Sequence, residues 1–422
     1  MRITMTALGS QGDVLPCVTL GAALQAAGHR VLLATFENFK SLVTAPGLEF
    51  SHIRGDIQTM LNGSGGQALA DSGRSPLRMA RSVLQLFGTM ANDFAHDFSA
   101  PSLRDADLII NQLPGGMFGC DLAEASGVPM MTAAVLPMTP SRHAPMLVFP
   151  RAFSFVPGYN AFTHWLAYQL VWQVFRPAVS RWRRETLGLS RAPLWGYTRR
   201  MATQATPVLN GFSAHLVPRP ADWGDNVHIT GYWFSEDDDW QPPDDLLRFI
   251  EAGPPPVFVG FGSMPVRDPE QTTQIVLDAL RLSGQRGILH AGWAGIGRRD
   301  LPDHVHWIDY APYGWLFPRM TAVVHHGGSG TTAYAARSGV PSLIVPFLFD
   351  QFYWGGRMAA LGAGPPAIPF KRLSAGRLAE AIGVMVSDAE MQRRAAELGR
   401  RVRGEGGVAA AVDLVERYAG VQ

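Results

Sequence analysis

The feature that most restricts this chain is an alternation of hydrophobic periods. "ITMTALG" is a short apolar run, "PCVTLGAALQAAGH" spaces its apolar residues at helical intervals, and "RVLLATF" is again a strand-like run. A strand, a helix and a strand in that order close as a right-handed crossover between parallel strands, so a parallel α/β sheet is expected. "DLIIN" (107–111) and "PMMTAAV" (129–135) add strands to it. The pattern lapses across "YWFSEDDDWQPPDD" (232–245) and restarts with "PVFVGFGS", "TQIVLDALRLSG", "RGILHAG", "TAVVHHGG" and "SLIVPF". Each half opens with a hydrophobic strand ending in Gly-Ser, at Gly9-Ser10 and Gly262-Ser263. With 422 residues, more than one core usually serves, the expectation is two Rossmann-like domains over residues 1–231 and 254–422, a linker over 232–253, and a ligand cleft between facing strand ends.

Composition narrows the function. A net charge of +1, with basic runs no longer than the cluster around Arg181–Arg184, gives no electrostatic footing for nucleic acid. The two cysteines, Cys17 and Cys120, sit in apolar surroundings and make neither a disulfide framework nor a metal site. Met1 leads straight into a strand and no run reaches about 18 uninterrupted apolar residues, so a soluble cytoplasmic protein without an integral membrane segment is expected.

The stretch "VVHHGGSGTT" (323–332) reads as an anion cradle: a buried strand runs into glycines, then into an alanine-rich helix whose free N–H groups face the same point. His325, His326, Ser329, Thr331 and Thr332 add donors at its mouth. "GSGTTA" (328–333) also fits the dinucleotide fingerprint, with Asp350 about 20 residues beyond it. That fingerprint belongs in the first βα turn of a Rossmann unit, whereas here it comes late in the second half, and the first turns "GSQGDV" and "GFGSMP" do not match it. A nicotinamide oxidoreductase is therefore the weaker reading. "EDDDW" (236–240) looks like a metal-sugar motif but falls in the linker, where acids are commonplace.

The segment Ala311–Gly364, which holds this cradle, resembles the donor-binding signature of inverting GT-B glycosyltransferases that use nucleotide sugars. The likeness is nearest to sterol glucosyltransferases and to bacterial relatives acting on glycopeptide, macrolide and lipid acceptors. "GSQGDVLP" (9–16) and "VPRPADWGDNVHITGYWF" (217–234) resemble other segments of that group. The resemblance implies a GT-B fold and a donor site in which His326, Gly328, Ser329 and Gly330 meet the diphosphate, with Thr331, Thr332 and Ser263 adding hydroxyls. It places Asp350 and Gln351 on the sugar, a carboxylate accepting from vicinal hydroxyls and an amide both donating and accepting. Tyr310 takes the place of the tryptophan that plant relatives stack on uracil, and Tyr334 that of their ribose-binding glutamate, so the base, UDP or dTDP, stays open.

Asp13 aligns with the catalytic aspartate of the sterol and glycopeptide relatives and is the expected base, with capping of a helix near Leu15-Pro16 as its alternative role. His29 reads as a turn residue, His325 as packing, and Asp350-Gln351 by itself as an ordinary turn. Phe162, Trp165, Tyr168, Trp172 and Phe175 recur at helical spacing, which puts them on one face. They are core or the wall of a site for an apolar alcohol, in a region read as an insertion between the fourth and fifth strands. "SDAE" (387–390) reads as a capping box, and 406–420 as a helix that packs back on the first domain.

The expected activity is inverting transfer of a hexose, UDP-glucose being the preferred donor, to a hydroxyl of a sterol, polyketide, terpenoid or hydroxylated lipid. No cofactor or metal is expected. The partners would be the nucleotide sugar and a hydrophobic small molecule, with transient membrane contact as an option and a monomer or weak homodimer as the assembly. A sugar-nucleotide epimerase of the same architecture is the runner-up, ahead of the nicotinamide enzyme and a non-catalytic binding module.

Overall fold

The computed structural model describes residues 1–55, 88, 90–112, 116–196, 206–235, 240–262, 264, 266, 268–290, 292, 301–348 and 350–420. They form two α/β units, each with one parallel sheet. The first unit comprises residues 1–214, 218–235 and 406–422, and the second 215–217 and 236–405.

In the first unit, β1 (Arg2–Thr6), β2 (Arg30–Phe36), β3 (Glu49–Ile53), β4 (Leu108–Gln112), β5 (Met130–Ala134), β6 (Val208–Asn210) and β7 (Val227–Ile229) lie in the order β3-β2-β1-β4-β5-β6-β7. β1 is central and buried on both faces, Ile3 and Met5 on one and Thr4 and Thr6 on the other; Ile3 pairs with Val31 on one side and Leu108 on the other, and all three side chains are buried. Helix Gln11–Ala26 covers one face through Val14, Cys17, Val18, Leu20 and Leu24. Beside it packs helix Gly407–Tyr418, whose Ala411 and Val415 are fully buried in the same core as Trp233. His29, expected only to shape a turn, is buried and reaches Glu416 of that helix at 3.4 Å. A second cluster, Phe94, Phe98, Phe118, Phe175 and Trp182, packs ring on ring beneath the long helix Tyr159–Glu185. Its last turn is fixed by Arg183, which is buried against Asp121 and makes a two-pronged bond to Glu124 at 2.8 and 2.9 Å.

In the second unit, β8 (Val257–Gly260), β9 (Gly287–His290), β10 (Val305–Ile308), β11 (Ala322–His325) and β12 (Ser342–Ile344) run in the order β10-β9-β8-β11-β12. β8 and β11 are buried throughout and pair as neighbours, with helices packing apolar clusters on both faces. Strand order reverses between β1 and β4 in one sheet and between β8 and β11 in the other, the positions where open α/β sheets leave room for ligands.

Several sequence expectations change. β3 is absent from the pattern because an edge strand with a half-exposed, alternating face has no continuous apolar run; β6 (VLN), β7 (VHI) and β10 (VHWI) are short and broken by a polar residue. Counting β3, the aromatic region lies between the fifth and sixth strands rather than the fourth and fifth. The 232–253 stretch divides: Tyr232 and Trp233 are built into the first unit, and Asp244–Glu251 is a helix of the second, anchored by Leu246. Asp388, not Ser387, caps helix Ala389–Arg403, accepting from the N–H groups of Glu390 and Met391 at 3.0 Å.

Trp233 packs over Gly211 and donates its indole N–H to Thr230 Oγ1 at 3.0 Å. Trp233→Ala is expected to destabilise the first unit by about 3–5 kcal/mol, read as a lower urea midpoint for that unit's transition; a midpoint within error of wild type contradicts this placement.

Candidate active site

After β1 the chain turns through Leu8, Gly9 and Ser10 into helix Gln11–Ala26. Gly9 has φ +151°, and a Cβ there would sit 2.3 Å from Asp13 Oδ2, so only glycine lets the carboxylate fold back over the turn. The helix starts at Gln11, earlier than expected. Ser10 is the cap and Asp13, in the third helical position, accepts from the Ser10 N–H (2.8 Å) and hydroxyl (3.0 Å). Asp13 is thus the cap's partner and not the cap. Burial raises its pKa above the ordinary aspartate value, with the two Ser10 bonds pulling the other way. A carboxylate short of solvent is a stronger base than a free one. From β4, buried Gln112 accepts the Leu8 N–H (3.2 Å) and Thr6 donates to Asn111 (2.8 Å), which fixes the turn. The sequence reading missed both amides, whose only signal was two polar residues ending an apolar strand.

In the second unit the turns after β8 and β11 meet around His326. A Cβ on Gly262 (φ +57°) would lie 2.9 Å from His326 Cε1, and one on Gly328 would lie 2.5 Å from its Nε2. The imidazole lies close against both glycines, is buried, and its Nδ1 has no hydrogen-bond partner among the described residues. Burial, then the charge of His290, pushes its pKa down to about 4. His325 is fully buried; burial and His326 push it to about 3. Its Nδ1 accepts from the Gly327 N–H at 3.1 Å, so it braces the glycine turn. His290, which the sequence reading did not single out, ends β9, bonds the Asp309 carbonyl through Nε2 at 3.0 Å and keeps a buried Nδ1 without a partner.

Helix Ser329–Ser338 begins directly after Gly328 with no side chain capping it. Its first turn, Ser329, Gly330 and Thr331, presents backbone N–H groups at the positive end of the helix dipole. Thr332 does not join them: it is fully buried and donates its hydroxyl to the Gly328 carbonyl at 2.9 Å. Asp350 Oδ2 accepts from the Trp354 indole at 3.0 Å. Gln351 is buried; its oxygen accepts from the Phe347 and Leu348 N–H groups (2.7 and 3.0 Å) and its nitrogen faces Met264 Sδ at 3.1 Å. That amide therefore spends most of its bonding capacity on the loop after β12. Tyr310 is 58% exposed. Ser263 and the acidic run 236–239 lie outside the described residues.

The aromatic stripe splits in two. Tyr168, Trp172 and Phe175 point inward; Tyr168 donates to the Met138 carbonyl (2.9 Å) and Trp172 to that of Pro193 (3.1 Å). Phe162 and Trp165 stand on the surface, 53% and 42% exposed, stacked at 5.8 Å. Steps of three and four keep residues on one broad stripe of a helix, so the division is made by what packs against each turn and not by the spacing.

Two Rossmann-like parallel-sheet units, the first with a half-buried carboxylate after its first strand and the second with a glycine-rich turn at a helix start, define an architecture of the GT-B glycosyltransferase kind. Residues 3–145 match the glycosyltransferase family 28 N-terminal domain, and residues 288–406 the erythromycin biosynthesis protein CIII-like C-terminal domain. A sterol 3-beta-glucosyltransferase of Arabidopsis thaliana is 37% identical over 99% of this chain, which spans 68% of that protein. One from Neosartorya fischeri is 35% identical over 99% of the chain, which spans 29% of that longer protein. The crystal structure of CalG4, the calicheamicin glycosyltransferase, superposes with a TM-score of 0.72 over 99% of this chain and 98% of that one, at 18% identity. The chain belongs to the GT-B glycosyltransferases of the family 1 type.

Both buried histidines have folded-state pKa values below the unfolded 6.5, so as pH falls from 6.5 towards 4 the unfolded chain takes up protons that the folded chain refuses. Stability is present above that window and lost within it. His326→Gln is expected to flatten the fall of melting temperature across the window; a profile superimposable on wild type contradicts the burial of a neutral imidazole.

Proposed function

We propose that this chain transfers glucose from UDP-glucose to the hydroxyl of a sterol-like alcohol, with inversion at the anomeric carbon and without a metal ion. The observation that carries the reading is the buried, unpartnered His326 Nδ1 set beside the uncapped start of helix Ser329–Ser338. A neutral imidazole nitrogen with no partner among the described residues lies in the turn that opens this helix, at the positive end of its dipole, an arrangement suited to a diphosphate. The relatives' names, sterol 3-beta-glucosyltransferase, support glucose as the sugar and a sterol as the acceptor.

In this mechanism the acceptor oxygen forms a bond to the anomeric carbon as the bond from that carbon to the diphosphate oxygen breaks, and the electron pair leaves with UDP. The acceptor's proton passes to the Asp13 carboxylate, whose raised pKa suits it to take that proton. Growing charge on the leaving diphosphate is met by His326 and the N–H groups at Ser329, Gly330 and Thr331, dipoles already in place before reaction. Asp350 and the remaining amide hydrogen of Gln351 serve the sugar hydroxyls, and the Tyr310 ring serves the base. Thr332, Gln351's carbonyl and His325 hold these groups in position.

Asp13→Asn is expected to lower turnover by about 10²–10⁴-fold, while the rise in melting temperature on adding UDP persists and the unliganded melting temperature does not drop, because asparagine keeps an acceptor for Ser10 and sheds a poorly solvated charge. Wild-type turnover in this variant removes Asp13 from the reaction. Gly328→Ala, which drives a methyl group into His326, is expected to weaken UDP binding by roughly tenfold or more, equivalent to about 1.4 kcal/mol; calorimetry showing unchanged affinity counts against the cradle.

A further inference from the structure

Nine of the fourteen large apolar side chains that stand exposed among the described residues fall within residues 148–195. The densest part is the turn before helix Tyr159–Glu185 and its first two turns. Phe155 is 81% exposed, Phe153 51% and Val156 43%, next to the stacked pair Phe162 and Trp165. Short bonds hold this segment together: Val156 N–H to the Phe153 carbonyl, Tyr159 N–H to that of Val156 and Phe162 N–H to that of Gly158. The exposed rings are thus presented by an ordered turn. Soluble surfaces rarely carry so concentrated an apolar patch without a partner.

Charge identifies the partner. Residues 142–170 and 186–196 contain Arg142, Arg151 and Arg191, all exposed, and not one Asp or Glu, in a chain whose net charge is only +1; among the described residues, the acid packed against them is Asp222, which accepts from the Arg142 N–H at 2.6 Å and the Ser141 hydroxyl at 3.0 Å at one end of the segment. A second copy of this chain meeting the patch about a twofold axis would set arginine against arginine. Phenylalanine and tryptophan inserted at the acyl boundary, ringed by arginines at headgroup depth, match an anionic bilayer on both counts. We propose that the apolar turn 153–165 of the first unit docks the protein on the surface of an anionic lipid bilayer, without spanning it. No helix among the described residues is long and apolar enough to cross a membrane. The inference rests on the proposed function for its purpose, since a sterol-like acceptor resides in such a bilayer, but not for its test.

Co-sedimentation of the whole protein with vesicles decides it. Wild type is expected to pellet with vesicles of phosphatidylcholine mixed with phosphatidylglycerol and much less with phosphatidylcholine alone. The double substitution Phe153→Ser, Phe155→Ser is expected to weaken binding on the order of a hundredfold, and Arg151→Gln about fivefold on the mixed vesicles only. Retention of the UDP-induced rise in melting temperature shows that the variants are folded; if the double variant does not fold, Phe155→Ser alone and Arg151→Gln decide the question. The proposal is overturned if wild type stays in the supernatant with the mixed vesicles, if the variants pellet as wild type does, or if binding ignores lipid charge. Sedimentation velocity revealing a dimer that Phe155→Ser dissolves would assign the patch to a second copy instead. Glucosyl transfer to a sterol delivered in cyclodextrin tests the proposed function separately, and the variants are expected to retain it.

Discussion

A parallel strand can offer chemistry at one end only, the edge where its carbonyl end releases the chain into a loop, and two such loops diverge only where strand order reverses. What can be built there depends on how near the backbone comes to a side chain. In both units that distance is set by glycine. Gly9 leaves no atom between the backbone and the Asp13 carboxylate, and Gly262 and Gly328 close on the two sides of the His326 ring. A methyl group at any of the three would occupy space that the Asp13 carboxylate or the His326 ring now fills, so the placement of these side chains is a steric property of the turns before it is an electrostatic one.

Removal of water acts on those atoms in opposite directions. Burial raises the Asp13 carboxyl and lowers the His325 and His326 imidazoles, in each case disfavouring charge. The result is a more basic acid and two neutral rings. Around them, a group of polar side chains is consumed in support: Gln112 holds the Leu8 amide, His325 the Gly327 amide, Thr332 the Gly328 carbonyl and Gln351 the loop after β12. Among the described residues, the polar side-chain atoms left over around these turns include three imidazole nitrogens: Nδ1 of His326, Nδ1 of His290 and Nε2 of His325.

How much of this was legible depended on whether a residue's role is local. β1, β2, β8 and β11 announce themselves because both faces are covered and their runs are mainly apolar and β-branched, and the glycines around His326 were readable because a tight turn needs them whatever follows. Asp13 was legible as a turn residue, but its station three places into the helix was hidden by Pro16, which reads as a helix start although it lies inside one. β3 escaped notice because an edge strand is only half buried. Gln112 and His290 escaped because their roles come from pairings across the sheet, with Leu8 and with the carbonyl of Asp309, that sequence spacing does not encode. The aromatic stripe was visible as a helix but not as two populations, since the division between Trp165 and Tyr168 is made by what packs against the helix.

The first unit is discontinuous: its core includes Ala411 and Val415, which follow nearly the whole of the second unit in the sequence. During synthesis, the apolar seat on helix Gln11–Ala26 therefore waits uncovered while the intervening residues emerge, and the second unit has its complete set of strands before the first has its last helix. The half that is translated first is the half that matures last.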